Sequence, residues 1–254
     1  MAQPGFFVYV IESPSAQDLY HPRSEADLLR QAINLDHTPC VTRCAISRDA
    51  FNAALIIGLV EEKQKFPNLL PILHISAHGN SEGIGLSNGD SIGWDELRLL
   101  LQPINAALQG YLLVCMSCCE GYAGSRMAMF TDNQPLPFYA LIGNSGSPTW
   151  SDTAVAYATF YHLLARGYSV DQCVINMRIS SGEDTFFLSL AAQEKQDYIA
   201  FVQNQNAQRH QTLLDALRQN QQQTLPDQMA KLRKLEPAPT GNAVKDLCLM
   251  IIRD

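Results

Sequence analysis

Residues 71–80 read Pro-Ile-Leu-His-Ile-Ser-Ala-His-Gly-Asn, a short apolar run that ends in polar residues. Four other apolar runs of similar length occur in the chain, at residues 6–12, 40–46, 111–117 and 138–144. Amphipathic segments, with their apolar residues at helical spacing, separate these runs. Because runs and amphipathic segments alternate over residues 5–191, the sequence predicts an α/β fold, a mainly parallel sheet with helices on both faces.

The segments between the runs predict six helices and one late strand. Ser24 is the predicted N-cap of the first helix, and Gly167 ends the fifth. Pro103 should kink or divide the third helix, because proline lacks the backbone N–H that continues the helical ladder. The predicted helices cover residues 25–35, 47–65, 95–108, 121–130, 151–166 and 169–180, and the late strand covers residues 185–190.

The composition of the chain changes after residue 191. From Gln203 to Gln223, eight of 21 residues are glutamine, so this segment is helical or partly disordered and too polar to bury much surface by itself. Residues 236–241 contain two prolines and a glycine, and a final apolar stretch follows at residues 247–252. We therefore expect one domain over residues 1–191 and a Gln-rich helical extension over residues 192–254 that ends in an edge strand.

Charge and hydropathy exclude several classes of protein. The chain has 18 basic and 25 acidic residues, a net charge of −7 without a basic stripe, which disfavours nucleic-acid binding. The longest apolar run, residues 53–60, is far shorter than the roughly 18 residues of a membrane span. Since no Lys or Arg precedes the first apolar run, a secretory signal is not expected either, and we expect a cytoplasmic protein. Seven cysteines then predict free thiols rather than a disulfide framework.

His78 and Cys118 each follow directly after a predicted strand. The carboxyl ends of parallel strands gather the binding and catalytic groups of open α/β sheets, so both side chains should meet at one edge. A thiolate can attack a carbonyl carbon while a neighbouring imidazole takes and returns protons. We expect the helix start after Cys118 to lower the pKa of its thiol. Gly79, which has no side chain, should let its N–H approach the oxyanion.

Two alternatives compete with a Cys/His pair. Taken singly, a histidine at a strand end is more often a structural hydrogen-bonding group, and a strand cysteine is more often a core residue. A zinc site is the other alternative, since His74, His78, Cys115, Cys118 and Cys119 are good zinc ligands. Strand geometry argues against it, because His74 and His78 would lie about 13 Å apart along one strand. The remaining cysteines are expected to be packing residues: Cys40, Cys44, Cys115, Cys173 and Cys248.

The chain resembles the caspase-like cysteine peptidases of clan CD, in particular their CHAT-domain branch. The resemblance rests on a strand that ends in His74-Ile-Ser-Ala-His78-Gly79, and on a second that ends in Ser117-Cys118-Cys119-Glu120-Gly121. A third segment agrees, with Trp150 and Asp152 after the next strand and Phe160-Tyr161 in the helix that follows. The resemblance covers residues 70–190. It implies a caspase-like three-layer fold and peptide-bond hydrolysis without a cofactor, with His78 as general base and acid, Cys118 as nucleophile and a protein or peptide as substrate.

The sequence departs from the family pattern in three ways. The spacing of 40 residues between His78 and Cys118 is shorter than the roughly 50 typical of caspases. The doublet Cys118-Cys119 leaves the nucleophile ambiguous by one residue, and Cys118 is preferred for its distance to Gly121. The family's partner domain is missing, so a regulator would be a separate protein or the C-terminal extension. A catalytically silent binding or scaffold protein with the same fold stays the alternative to a regulated or defence-related bacterial endopeptidase.

The resemblance also implies where the side chain before the scissile bond binds. Its pocket would be lined by Met116 and by the turn that contains Trp150 and Asp152. Since no Arg or Lys occurs between Arg126 and Arg166, we do not expect cleavage after aspartate. Asp152 would favour a basic side chain over an apolar one. The alternative is that Asp152 only caps the helix that follows.

Overall fold

This computed structural model describes residues 5–235. Six strands form the main sheet in the order β2-β1-β3-β7-β8-β9, and three short strands form a separate antiparallel sheet in the order β4-β5-β6. In the main sheet all neighbours are parallel except β9, which runs antiparallel to β8. The strands are β1 (Phe6–Glu12), β2 (Cys40–Cys44), β3 (Leu70–Ser76), β4 (His78–Asn80), β5 (Gly83–Gly85), β6 (Ser91–Gly93), β7 (Leu113–Ser117), β8 (Ala140–Asn144) and β9 (Phe186–Leu190).

Eight α-helices connect or follow the strands within the described residues. A π-helical segment, Ala53–Gly58, joins α3 to α4, and a 3₁₀ helix, Gly121–Ala128, follows β7. The helices are α1 (Ala16–Tyr20), α2 (Glu25–Asn34), α3 (Arg48–Asn52), α4 (Leu59–Lys65), α5 (Trp94–Ala107), α6 (Trp150–Ala165), α7 (Val170–Ser181) and α8 (Ala191–Leu235).

Both faces of the main sheet are buried. In β1, Phe7, Tyr9 and Ile11 pack on one face with α3, α4 and α5, whereas Val8 and Val10 pack on the other face with α2, α6 and α7. Successive strand side chains point to opposite faces, so a strand covered on both sides needs apolar residues throughout. The predicted mainly parallel α/β sheet with helices on both faces is confirmed.

The predicted strands and helices are present with small shifts at their ends. Pro103 does not divide α5, which continues to Ala107. Proline removes the bond to the carbonyl four residues earlier, that of Leu99, and this residue is exposed, so water can satisfy the carbonyl. The sequence analysis missed α1 and the small sheet β4-β5-β6, because segments of three to five residues are too short to show a hydrophobic period.

The chain divides into two compact units, the first ending at Ile199 and the second beginning at Ala200. The Gln-rich segment is helical throughout and belongs to α8. The predicted terminal strand at residues 247–252 lies outside the described residues, and the predicted boundary after residue 191 stays a prediction. In residues 5–235, no helix is both long and apolar enough to cross a membrane.

Candidate active site

The neighbouring strands β3 and β7 bring His78 and Cys118 to the same edge of the sheet. In their parallel register Ser76 lies opposite Ser117, and the pairing continues as the backbone N–H of Ala77 donates to the carbonyl of Ser117 at 3.2 Å. His78 follows Ala77 at once, and Cys118 follows Ser117. The two predicted residues therefore leave adjacent strands one step beyond the last paired positions.

A cavity of about 210 Å³, here called the thiol cavity, lies at this edge and is lined by His78, Cys118 and Cys119 together. His78 is exposed and Cys119 is half-buried, whereas Cys118 is only 6% exposed. The imidazole is thus open to a substrate, but the thiol lies at the back of the cavity.

Two glycines enclose the Cys118 thiol. A Cβ added at Gly79 would lie 2.8 Å from Sγ of Cys118 and 2.6 Å from the carbonyl oxygen of Cys119, and one added at Gly121 would lie 3.0 Å from the same Sγ. Real Cβ atoms do not approach other atoms so closely, so only glycine fits at position 79 without movement. The backbone of Gly79 consequently lies directly against the thiol, where an oxyanion donor is needed.

Burial raises the pKa of the Cys118 thiol, and the neighbouring Cys119 and Glu25 raise it further. The predicted lowering of this pKa is therefore wrong for the structure. The physical reason is the position of Cys118 in the apolar core beside Met116, three residues before the 3₁₀ helix begins at Gly121. At neutral pH the thiol of the free protein is protonated.

A buried carboxylate, Glu25 of α2, lies beneath the thiol cavity and also lines it. It accepts hydrogen bonds from Ser76 Oγ at 2.6 Å and from Ser117 Oγ at 2.7 Å and 2.8 Å. Nε2 of His74 lies 3.5 Å away, and Nδ1 of the same ring is 2.9 Å from the Tyr161 hydroxyl. The paired serines at the ends of β3 and β7 thus hold one carboxylate between them.

The Glu25 carboxyl is ionised in spite of its burial. Burial raises its pKa, but the neighbouring His74 ring and the hydroxyls of Ser76 and Ser117 lower that pKa further than burial raises it. Glu12 and Asp18 also line the thiol cavity, against one guanidinium, that of Arg23. Three carboxylates and one guanidinium make the cavity acidic.

The other predicted site residues are distributed differently. Trp150 lines the thiol cavity, but Met116 is completely buried in the core and Asp152 is not part of the lining. Asp152 instead forms a capping box with Thr149 at the start of α6, accepting the Thr149 N–H at 3.3 Å and donating its own N–H to Thr149 Oγ1 at 3.3 Å. The helix-cap interpretation of Asp152 thus accounts for its contacts.

The metal alternative finds no support in the described part of the chain, where no three His, Cys, Asp or Glu side chains are grouped to hold an ion. The sequence analysis missed Glu25, Glu12 and Asp18 as cavity residues. Glu25 follows the N-cap Ser24, and an acidic residue there is expected in any helix start, so its sequence context carries no separate signal.

No protein-family model and no curated protein matches the chain. Among solved structures, it is similar to the crystal structure of the Arg-specific cysteine proteinase gingipain R (RgpB), with 14% identity over 71% of this chain and a TM-score of 0.45. It is also similar to a complex of Porphyromonas gingivalis RgpB pro- and mature domains, with 14% identity over 72% of this chain and a TM-score of 0.44. The match spans 45% and 46% of those chains. The chemistry of the site therefore has to be argued from its own residues.

Proposed function

We propose that this protein is a caspase-like cysteine endopeptidase, with Cys118 as nucleophile and His78 as general base and acid. The observation that carries the proposal is the joint position of these two side chains on neighbouring strand ends in one cavity, with the Gly79 backbone against the thiol. A thiol, an imidazole and a backbone N–H are the three groups that acyl transfer requires.

The reaction follows from these positions. His78 takes the thiol proton as Cys118 Sγ bonds to the substrate carbonyl carbon, and the Gly79 N–H donates to the oxygen that becomes negative. The C–N bond then breaks as His78 gives the proton to the leaving amine, which leaves a thioester on Cys118. His78 next takes a proton from a water molecule that attacks the thioester, and returns it to the thiolate that leaves. The products are the amine and carboxylic acid of the cleaved peptide.

The charge of the thiol cavity supports a preference for a basic side chain before the scissile bond. Three carboxylates line the cavity, and Glu25 at its floor is held ionised by His74, Ser76 and Ser117. A lysine or arginine side chain would meet opposite charge there, whereas aspartate would meet like charge. Glu25 takes the role that the sequence analysis gave to Asp152, whose carboxylate is engaged in the helix cap.

Cleavage of a mixed peptide library, read by mass spectrometry, tests the proposal. Wild-type protein should cut after arginine or lysine, Cys118→Ala should abolish cleavage, and Cys119→Ala should retain it. The Cys119 variant is the matched control, since it removes a neighbouring thiol from the same cavity. Absence of cleavage by the wild type, or cleavage that survives Cys118→Ala, would contradict the assignment.

A binding or scaffold protein is the second candidate, and the burial of Cys118 favours it. A protonated thiol behind two glycines is a poor nucleophile. A peptidyl chloromethyl ketone with arginine at its reactive end discriminates between the two. A peptidase should be alkylated at Cys118 faster than by iodoacetamide, because recognition places the reagent at the thiol; a scaffold protein should show no such acceleration.

The biological setting is also part of the proposal. We infer a member of the CHAT-domain branch that acts on protein or peptide substrates in the bacterial cytoplasm, in regulated proteolysis or defence, with a separate protein as regulator. The three sequence motifs support the branch, and the acidic net charge of the chain disfavours a nucleic-acid partner.

A further inference from the structure

His78 belongs to two cavities. Besides lining the thiol cavity, it is the first residue of β4 and lines a second cavity of about 270 Å³ above the small sheet β4-β5-β6. This second cavity, here called the glycine cavity, is lined by residues of all three strands and by Glu82. The two cavities therefore share one imidazole in their linings.

The strands of the small sheet are apolar on one face only. Ile84 at the centre of β5 and Ile92 at the centre of β6 are 1% and 0% exposed. Their neighbours along each strand point to the opposite face, where Gly85 lies between His78 and Ser91 in the strand register. Gly93 lies opposite Gly83 on the same face. The face beside His78 thus carries glycine at three of its six positions, Gly83, Gly85 and Gly93, and side chains at His78, Asn80 and Ser91.

The fold itself does not require glycine at positions 85 and 93. Neither residue has a positive φ. A Cβ added at Gly85 would meet nothing closer than Cβ of His78 at 3.7 Å, and one added at Gly93 nothing closer than the Glu82 carbonyl at 3.7 Å. Glycine weakens a strand, and inside a strand it often marks the place where a ligand or another backbone approaches closely. The cavity over these residues is the space for such an approach.

We infer that the glycine cavity binds the substrate segment that follows the scissile bond. This inference rests on the proposed function. His78 must come within hydrogen-bond reach of the leaving nitrogen to protonate it, so the chain beyond that nitrogen passes the imidazole. Since the thiol cavity holds the side chain before the bond, the leaving segment enters the space on the other side of His78. An extended peptide can approach the backbone closely over the three glycines of this face, and the side chains of Asn80 and Ser91 offer it polar partners.

Filling this face tests the inference. Gly85→Val and Gly93→Val add a β-branched side chain where the structure leaves room, and valine suits a strand. Two probes are compared: an internally quenched peptide with four residues after the scissile bond, and a coumarylamide, in which a single coumarin ring and no further peptide follows that bond. Both are built on the sequence that the wild type cuts best. We expect kcat/KM to fall at least tenfold for the peptide and to stay within twofold for the coumarylamide.

Controls separate this effect from misfolding and from failure of the proposed function. Thr42→Val makes a β-branched apolar substitution in the edge strand β2, away from both cavities, and should change neither rate. The Tm of every variant is measured as a check on folding. Gly85→Ala and Gly93→Ala cover the case in which valine prevents folding, and they should show a smaller loss of kcat/KM for the quenched peptide only. Equal rates for all variants, or equal losses on both probes, would overturn the inference alone. A wild type that cuts neither probe would overturn the proposed function, and the inference would fall with it.

Discussion

Replacing Glu25 by glutamine removes the charge at the floor of the thiol cavity and keeps its shape. The amide oxygen can still accept from Ser76 and Ser117, which now donate at 2.6 Å to 2.8 Å, so the strand ends stay together. The change therefore isolates charge from packing. It tests whether Glu25 selects a basic side chain.

The expected magnitude follows from the loss of a charge-assisted hydrogen bond. Bonds to charged groups contribute about 1.5–3 kcal/mol and neutral ones about 0.5–1.5 kcal/mol, so the variant should lose about 1–1.5 kcal/mol toward arginine. Since about 1.4 kcal/mol corresponds to a factor of ten, the preference for arginine should fall about tenfold.

The assay compares kcat/KM for two coumarylamides that end in arginine or in citrulline, which has the same shape without the charge. Glu25→Gln should lower the rate for arginine and leave the rate for citrulline within twofold. Asp152→Asn is the matched control and should leave the ratio unchanged, because its carboxylate is not part of the cavity lining. An unchanged ratio in Glu25→Gln, or a collapsed ratio in Asp152→Asn, would refute the assignment of specificity to Glu25.

Three further predictions concern the same edge of the sheet. Gly79→Ala should lower kcat/KM at least a hundredfold, because the added Cβ would lie 2.8 Å from the Cys118 thiol and would displace the oxyanion donor. Loss of such a donor usually lowers the rate by about 10²–10³. Activity close to that of the wild type would contradict the enclosed geometry. Asp152→Ala should lower the free energy of unfolding by about 1 kcal/mol or less through loss of the capping box, which a fall in Tm would show. The specificity measured with the peptide library should not change. A changed specificity would indicate that Asp152 contacts the side chain before the scissile bond. Because the pKa of Glu25 is lower in the folded protein than its ordinary value of 4.5, its ionisation stabilises the fold above that pH, and this stability is lost as the pH falls through the folded pKa. The free energy of unfolding, measured with denaturant between pH 6 and pH 3, should therefore decline more steeply in the wild type than in Glu25→Gln. Equal slopes would count against an ionised Glu25.

Most of the main sheet could be predicted because its strands are covered on both faces. The run from Phe6 to Glu12 matches β1 at both ends, since Phe7 and Val10 are buried on opposite sides and leave no alternation to misread. The small sheet could not be predicted, since β5 is Gly-Ile-Gly and a single isoleucine has no period.

The placement of His78 beside Cys118 was also accessible from the sequence, whereas the state of the thiol was not. Two strand ends at one edge follow from topology alone. The pKa of Cys118 depends on how tightly Gly79 and Gly121 close around it, and those residues come from different segments of the chain. A helix that begins three residues later cannot offset that burial.

Glu25 and Asp152 show why a pocket carboxylate is hard to assign from the sequence. Its position in the first turn of α2 fits the general preference of helix starts for acidic residues, and Asp152 in α6 fits the same preference. Both carboxylates lie in the first turn of a helix, Glu25 at the first residue and Asp152 at the third, where it closes a capping box with Thr149. Their partners differ in sequence distance, since Glu25 binds Ser117, which lies 92 residues further along the chain, whereas Asp152 binds Thr149, three residues away. A carboxylate whose partners are distant in sequence is held in place by the register of β3 and β7, so its position depends on the whole sheet and cannot be inferred from its own helix.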